Sequence, residues 1–105
     1  MAKTPPRLPL DQHHTLALWA ADCAEAVVTS FEAACPGDPR PRHAIEAARA
    51  WVRGEIRVGQ ARSFALAAHA AAREAPEGPA RAAARACGHA AATAHVATHS
   101  RAAAD

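Results

Sequence analysis

Alanine supplies most of the apolar residues of this 105-residue chain, and that constrains its fold more than any other feature. It recurs in runs such as residues 82–84 and 90–92, whereas the chain has only two Trp and two Phe. Alanine has the highest helix propensity, and its small side chain lets helix axes approach to the short end of the usual separation of roughly 8–10 Å. Each larger side chain contributes only about 1.5–3 kcal/mol on full burial. The composition therefore predicts an all-α bundle with a thin core, which would gain stability by forming a homo-oligomer.

Proline and glycine divide the chain into an arm and four helices. Residues 1–10 contain three prolines and are expected to form an extended or disordered arm, and residues 11–105 are expected to form the helical bundle domain. The predicted helices run over about residues 11–34, from Pro39 to the Gly54–Gly59 turn, over about residues 60–75, and from Pro79 to the C-terminus. The short connections favour antiparallel neighbours and so predict an antiparallel four-helix bundle.

Apolar periodicity predicts which face of each helix is buried. In the first helix the predicted stripe comprises Leu16, Trp19, Ala20, Cys23, Val27, Phe31 and Ala34. In the second it comprises Ile45, Ala48, Val52 and Ile56, flanked by Ala44 and Trp51, and in the third Phe64, Ala65, Ala68 and Ala72. Gly88 interrupts the fourth helix at a cost of about 1 kcal/mol relative to alanine, which suggests a close helix crossing there.

Charge and cysteine content exclude several classes of protein. A formal net charge of +2 is too small to indicate nucleic-acid binding, and no aromatic residues are interleaved with the basic ones. Three widely spaced cysteines predict neither a disulfide framework nor a zinc knuckle. The first ten residues lack the apolar run of a signal peptide, and no segment approaches a membrane span. We therefore expect a cytoplasmic protein with no membrane contact, no bound metal and no cofactor.

Histidine is the one enriched polar residue type. His95 and His99 lie one turn apart on the fourth helix, and His89, Arg85 and Arg81 share roughly the same third of that helix. This face could be a solvated polar stripe, an anion-binding surface or part of a metal site. A zinc ion would need further ligands from another helix.

His69 differs from the other histidines because it lies among alanines, at the edge of the predicted buried stripe. Asp22, at the boundary of the first helix's apolar face, is the natural candidate to bind it. Such a pair could hold one histidine tautomer for proton transfer or simply join two helices. No nucleophile and base are evident beside it, so an enzymatic role is not favoured.

The remaining candidate residues have simpler interpretations. Cys23 is expected to be a packed thiol, and Cys35 to lie exposed at a helix end. Trp51 is either a core residue or an aromatic residue of a binding groove. Arg40 and the neighbouring arginines share segments with glutamates, which indicates ion pairs on a solvated face.

Four stretches of the sequence together resemble a known family. They include Ala-Asp-Cys-Ala-Glu at 21–25, Arg-Pro-Arg at 40–42 and the late Gly-His and Ala-His pairs, and they cover residues 18–25, 40–51, 65–75 and 88–99. The chain is similar to actinobacterial immunity proteins of the Imm-5-like family from about Leu16 onward. It differs at Ala26, where a histidine is expected.

The resemblance implies a non-enzymatic binding protein of immunity or self-resistance type, which neutralises a protein toxin or a toxic small molecule. It assigns no catalytic residues. The polar residues in the matched stretches are the candidates for binding, together with Trp51: Asp22, Arg40, His69, His89 and His95. The alternative is a small-ligand-binding module or small helical catalyst of a natural-product biosynthetic cluster, with a His/Asp pocket between helices.

Overall fold

A computed structural model describes the backbone of residues 10–104 and the side chains of residues 10–94. The chain forms four α-helices in this part: α1 (Leu10–Ala34), α2 (Arg40–Val52), α3 (Val58–Glu74) and α4 (Pro79–Ala104). The prediction of an all-α four-helix bundle is confirmed. The predicted N-terminal arm lies outside the described residues except for Leu10, which already belongs to α1.

Local signals explain where the helices begin. Gly37 adopts a φ of 89° in the turn after α1, a conformation that suits glycine because it has no Cβ. The Asp38 carboxylate then accepts a hydrogen bond from the backbone N–H of Arg40 (3.1 Å) at the start of α2. The side chain of Gln60 accepts one from the backbone N–H of Arg57 (2.9 Å) at the start of α3, which begins two residues earlier than predicted.

The helices pack with α4 and α2 at the centre. Each of these two contacts all three other helices, whereas the backbones of α1 and α3 do not come close to each other within the described residues. The helices α3 and α4 run antiparallel, since Ala75 packs near Ala80 while Ala65, further back along α3, packs in the same cluster as Ala91. The chain turns between them at Gly78, whose φ is 109°.

Alanine fills the core. The largest side chains that are fully buried are few: Phe31, Ile45, Val28, Pro41 and Cys87. Most other buried positions are alanines from all four helices, among them Ala21, Ala48, Ala68 and Ala91. Small side chains on both sides let the helices approach closely. The core is therefore filled by helices packed close together and not by bulky side chains between more distant helices.

The buried stripe predicted for α1 is wrong at every position except Phe31 and the half-buried Ala20. The buried residues are His13, Ala17, Ala21, Ala24, Val28 and Phe31. Ala17, Ala21, Ala24 and Val28 each follow a predicted position by one residue, which corresponds to a rotation of the helix by about 100°. The reason is the alanine surface of α4, which α1 approaches with its own alanines and which leaves no room for leucine or tryptophan.

Several large apolar side chains of α1 consequently point to solvent. Trp19 is 64% exposed, Leu16 45% and Val27 42%, and Cys23 is also exposed. Cys23 is therefore not the packed thiol that the pattern predicted. We call the outward surface formed by these four residues the α1 face. The predictions for α2 and α3 are closer: Ile45, Ala48, Ala65, Ala68 and Ala72 are buried, and Phe64 is 37% exposed.

Candidate functional site

His69 and Gly88 form the closest side-chain-to-backbone approach at any glycine of the described chain. The His69 ring lies against Gly88 of α4, where a Cβ atom would stand 2.7 Å from Cε1 and 2.8 Å from Nε2 of the ring. Real Cβ atoms do not come this close to other atoms, so only glycine leaves room for the ring. At Gly88, where a close helix crossing was predicted, the neighbouring helix α3 thus contributes a side chain that packs against the backbone.

His89, the next residue of α4, is the side-chain neighbour of His69. The two ring centroids are 5.0 Å apart, and the rings meet at 69° in an edge-to-face arrangement. His69 is half-buried and His89 is exposed, so the pair opens to solvent on one side. Two helices thus bring together two imidazoles that lie twenty positions apart in the sequence.

Two arginines lie beside the histidine pair. Arg73 follows His69 by one turn of α3, and Arg85 precedes His89 by one turn of α4. Burial lowers the pKa of His69 below its ordinary value, and the positive charges of His89, Arg73 and Arg85 lower it further. His69 is therefore a neutral imidazole at neutral pH, with one N–H available as a donor.

We call the group formed by His69, Arg73, Arg85 and His89 the basic cluster. Sequence reasoning identified three of its members but grouped His89 and Arg85 with other residues, and it missed Arg73. The spacing of these residues in the sequence could have revealed the cluster. Arg73 follows His69 by four residues and Arg85 precedes His89 by four, so the two pairs are symmetrical about Pro79, where α4 begins. Antiparallel helices joined by a short turn bring such mirrored positions together.

Asp22 is not the partner of His69. Its Oδ1 atom accepts a hydrogen bond from Nη2 of Arg49 on α2 (2.9 Å), and its side chain is 74% exposed. Arg49 also forms an ion pair with Glu25, one turn from Asp22 on α1. The expectation of a buried His–Asp pocket between helices is therefore wrong: the rotation of α1 places Asp22 against α2, and the backbone of α1 does not come close to that of α3, which carries His69.

Arg40 joins two helix ends. Its Nη2 atom donates to Oδ2 of Asp38 (2.8 Å) and to Oε1 of Glu74 at the end of α3 (2.6 Å). Its hydrogen bonds lower the pKa of both carboxyl groups below the ordinary range. These contacts give Arg40 a structural role in the fold.

Trp51 and His95 complete the set of candidate residues. Trp51 is half-buried, and its ring lies edge-to-face with His14 of α1, with centroids 5.0 Å apart. It therefore joins the end of α2 to α1. The backbone of residue 95 belongs to α4, but the side chain of His95 lies outside the described residues, as does that of His99.

Two further findings concern metals and membranes. Among residues 10–94 no group of three or more His, Cys, Asp or Glu side chains comes together as a possible metal site. None of the helices within the described range is both long and apolar enough to cross a membrane.

By fold, the molecule is a small alanine-rich helical bundle, and its most conspicuous surface features are the basic cluster and the α1 face. A family model, the Imm-5 like putative immunity protein family, matches residues 7–105, and the chain belongs to that family. No curated protein and no solved structure matches the chain significantly.

Proposed function

We propose that this protein is a non-enzymatic immunity or self-resistance protein that binds a protein toxin and neutralises it by occupying the toxin's surface. Membership of an immunity-protein family supports this class of function. The observation that carries the proposal is the α1 face, because it exposes large apolar side chains while alanine fills the core. Exposed tryptophan surrounded by aliphatic side chains is typical of the centre of a protein interface.

Charge indicates the kind of partner that fits this face. The charged side chains of α1 are all carboxylates, namely Asp11, Asp22, Glu25 and Glu32, and the helix contains neither Lys nor Arg. Three of these carboxylates form ion pairs with arginines of α2, Asp22 and Glu25 with Arg49 and Glu32 with Arg42, so charge alone does not exclude a second copy of the chain. A toxin surface with an apolar centre and a polar rim would complement both the face and the ion pairs at its edge.

Co-expression with the product of the adjacent gene tests the proposal in cells. If that gene product is the toxin, the wild-type chain should restore growth of a host that produces it. Trp19→Ala and Leu16→Ser should abolish the rescue. Leu66→Ser is the matched control, because Leu66 is 55% exposed on α3, away from the α1 face. Since all three side chains are exposed, the free energy of unfolding of each variant should lie within about 0.5 kcal/mol of the wild-type value.

Binding measurements on the purified proteins separate the outcomes. Loss of a central tryptophan should cost about 2 kcal/mol or more, which weakens the Kd by roughly thirtyfold. Equal rescue and equal Kd for wild type, Trp19→Ala and Leu16→Ser would refute the α1 face as the toxin-binding surface. Light scattering should be run alongside: if Leu16→Ser converts a dimer into a monomer, the face instead binds a second copy of the chain, as the predicted homo-oligomer would require.

A further inference from the structure

The basic cluster belongs to α3 and α4, shares no residue with the α1 face and calls for an explanation of its own. It contains two histidines and two arginines, one of each from α3 and from α4. The antiparallel register sets His69 beside His89, and one turn further along it carries Arg73 and Arg85 toward the same region. Both guanidinium groups are close enough for their charge to act on the His69 ring.

The two arginines of this cluster lack carboxylate partners among residues 10–94. Most other described arginines are paired, for example Arg40 with Glu74 and Arg81 with Glu77. Glu77 lines one surface depression together with Arg85, but the ion pairs of Glu74 and Glu77 are with Arg40 and Arg81. Arg73 and Arg85 thus place on adjacent helices two positive charges that no direct ion pair of the described residues neutralises, and such charges repel unless an anion lies between them.

The donors of the cluster also suit one kind of anion. Guanidinium groups bind phosphate and carboxylate in a bidentate manner, and a histidine ring donates a hydrogen bond through its N–H. Two arginine charges are balanced by a phosphate monoester, which carries about −1.5 to −2 at neutral pH, whereas a carboxylate balances only one. The same two charges would repel a metal cation, although two histidines are present.

We propose that the basic cluster is a binding site for the phosphate group of a small phosphorylated molecule. The guanidinium groups of Arg73 and Arg85 bind the phosphate oxygens, and His69 and His89 donate further hydrogen bonds from the side of Gly88. Gly88 matters because it fixes the position of the His69 ring. The site is independent of the α1 face, so it can stand or fall without the toxin-binding proposal.

Titration with phenyl phosphate tests this site in the full-length protein. Binding is followed by calorimetry and by the NMR signals of the His69 and His89 rings at neutral pH and at an ionic strength of about 0.15 M. Phenyl sulfate, a monoanion of nearly the same shape, is the comparison ligand. We expect phenyl phosphate to bind about tenfold more tightly than phenyl sulfate and to shift both ring signals.

Substitutions locate the binding. Arg73→Gln and Arg85→Gln should each weaken phenyl phosphate binding by about tenfold or more. Arg62→Gln is the matched control, because Arg62 lies on α3, has no carboxylate partner in the described chain, and is three turns from Arg73. It should leave the affinity unchanged. All three positions are exposed, so the variants should remain folded.

Three results would overturn the proposal. The first is that the NMR signals of the His69 and His89 rings do not change as phenyl phosphate is added. The second is that phenyl phosphate and phenyl sulfate bind equally well and that all three arginine variants lose the same amount of affinity. The third is binding of an oligonucleotide, lost in Arg73→Gln, without binding of phenyl phosphate, which would indicate a nucleic-acid surface instead. Titration with inorganic phosphate shows which form of phosphate the site binds. If its affinity equals that of phenyl phosphate, the ligand is free phosphate; if it binds more weakly, the ligand is a phosphate ester.

Discussion

The imidazole of His69 on α3 lies directly on Gly88 of α4, so closely that a Cβ at residue 88 would stand 2.7 Å from the ring's Cε1 atom. Gly88→Ala should therefore have two opposing effects. Alanine raises helix stability by about 1 kcal/mol at an interior position. The added methyl group also forces the His69 ring away from α4, since Nδ1, Cε1 and Nε2 all lie within 2.9 Å of the new atom.

A double-mutant cycle separates these effects. In a His69→Ala background, Gly88→Ala should raise the free energy of unfolding by about 1 kcal/mol, because the methyl group no longer meets the ring. In the wild-type background the gain should be smaller, or become a loss, with a coupling of at least about 0.5 kcal/mol. Denaturant unfolding of the four proteins measures this. Additive effects would show that the ring moves aside without cost.

Stability should decrease as the pH falls through the range in which His69 titrates. Burial and the charges of His89, Arg73 and Arg85 lower the pKa of His69 in the folded chain below its ordinary value of about 6.5. Above pH 6.5 the imidazole is neutral in both the folded and unfolded states, and its contribution is fully present. Below that pH the unfolded chain binds the proton more readily, so the folded state loses stability until the folded-state pKa is passed.

Urea unfolding at a series of pH values between about 7.5 and 5 checks this sign. His69→Gln should show a smaller decrease in the free energy of unfolding than the wild type over that interval. His43→Gln is the control, since His43 lies on the exposed side of α2 against Phe64 and is not a member of the basic cluster. An identical pH dependence in wild type and His69→Gln would contradict the prediction.

Arg40→Gln should lower the melting temperature more than Arg53→Gln does. Arg40 joins the turn before α2 to the end of α3 through Asp38 and Glu74, which are far apart in sequence. Arg53 binds only Glu55, two residues away on an exposed turn, so its ion pair restrains little of the chain. Thermal unfolding at low salt and at 1 M salt measures the difference, which should shrink as salt screens the charges. Equal shifts in the two variants would assign Arg40 no special role.

The cysteines should react with thiol reagents at very different rates. Cys23 is exposed on α1, whereas burial raises the pKa of Cys87 to about 11 and shields its sulfur from solvent. Because the thiolate is the reactive form, Cys87 should be alkylated only when the chain unfolds. Mass spectrometry after a pulse of iodoacetamide at pH 8 should find Cys23 modified and Cys87 intact, and urea should remove the distinction. Rapid alkylation of Cys87 in the native chain would refute its burial.

The elements of the fold were predictable because their signals are local. Gly37 and Gly78 mark turns through their own backbone preferences, and an alanine-rich segment has a high intrinsic helix propensity. The function of Gly88 was also readable, since glycine in a helix interior is costly and needs a reason such as the ring of His69. These inferences required only neighbouring residues or a single principle of helix energetics.

The contacts between helices were less predictable because they depend on distant segments. In α1 two apolar stripes compete, one of alanines and one of larger side chains, and periodicity alone favoured the larger ones. The alanine surface of α4 decides otherwise. That rotation also carries Asp22 to Arg49 and removes it from His69. Likewise, the basic cluster could be predicted only from the antiparallel register of α3 and α4. In the sequence that register is indicated only by the symmetrical spacing of the two His–Arg pairs about Pro79.

Two adjacent valines test the rotation of α1 with the same chemical change. Val28 is fully buried and Val27 is 42% exposed, whereas the periodicity of large side chains placed Val27 in the core. Val28→Ala should lower the free energy of unfolding by about 2 kcal/mol, through lost burial and the cavity left in a core with few large side chains. Val27→Ala should change it by no more than about 0.5 kcal/mol, and its slightly better helix propensity opposes any loss. Urea unfolding of both variants settles the orientation: a larger loss for Val27→Ala would mean that α1 presents its leucine and tryptophan stripe to the core, and that the α1 face does not exist.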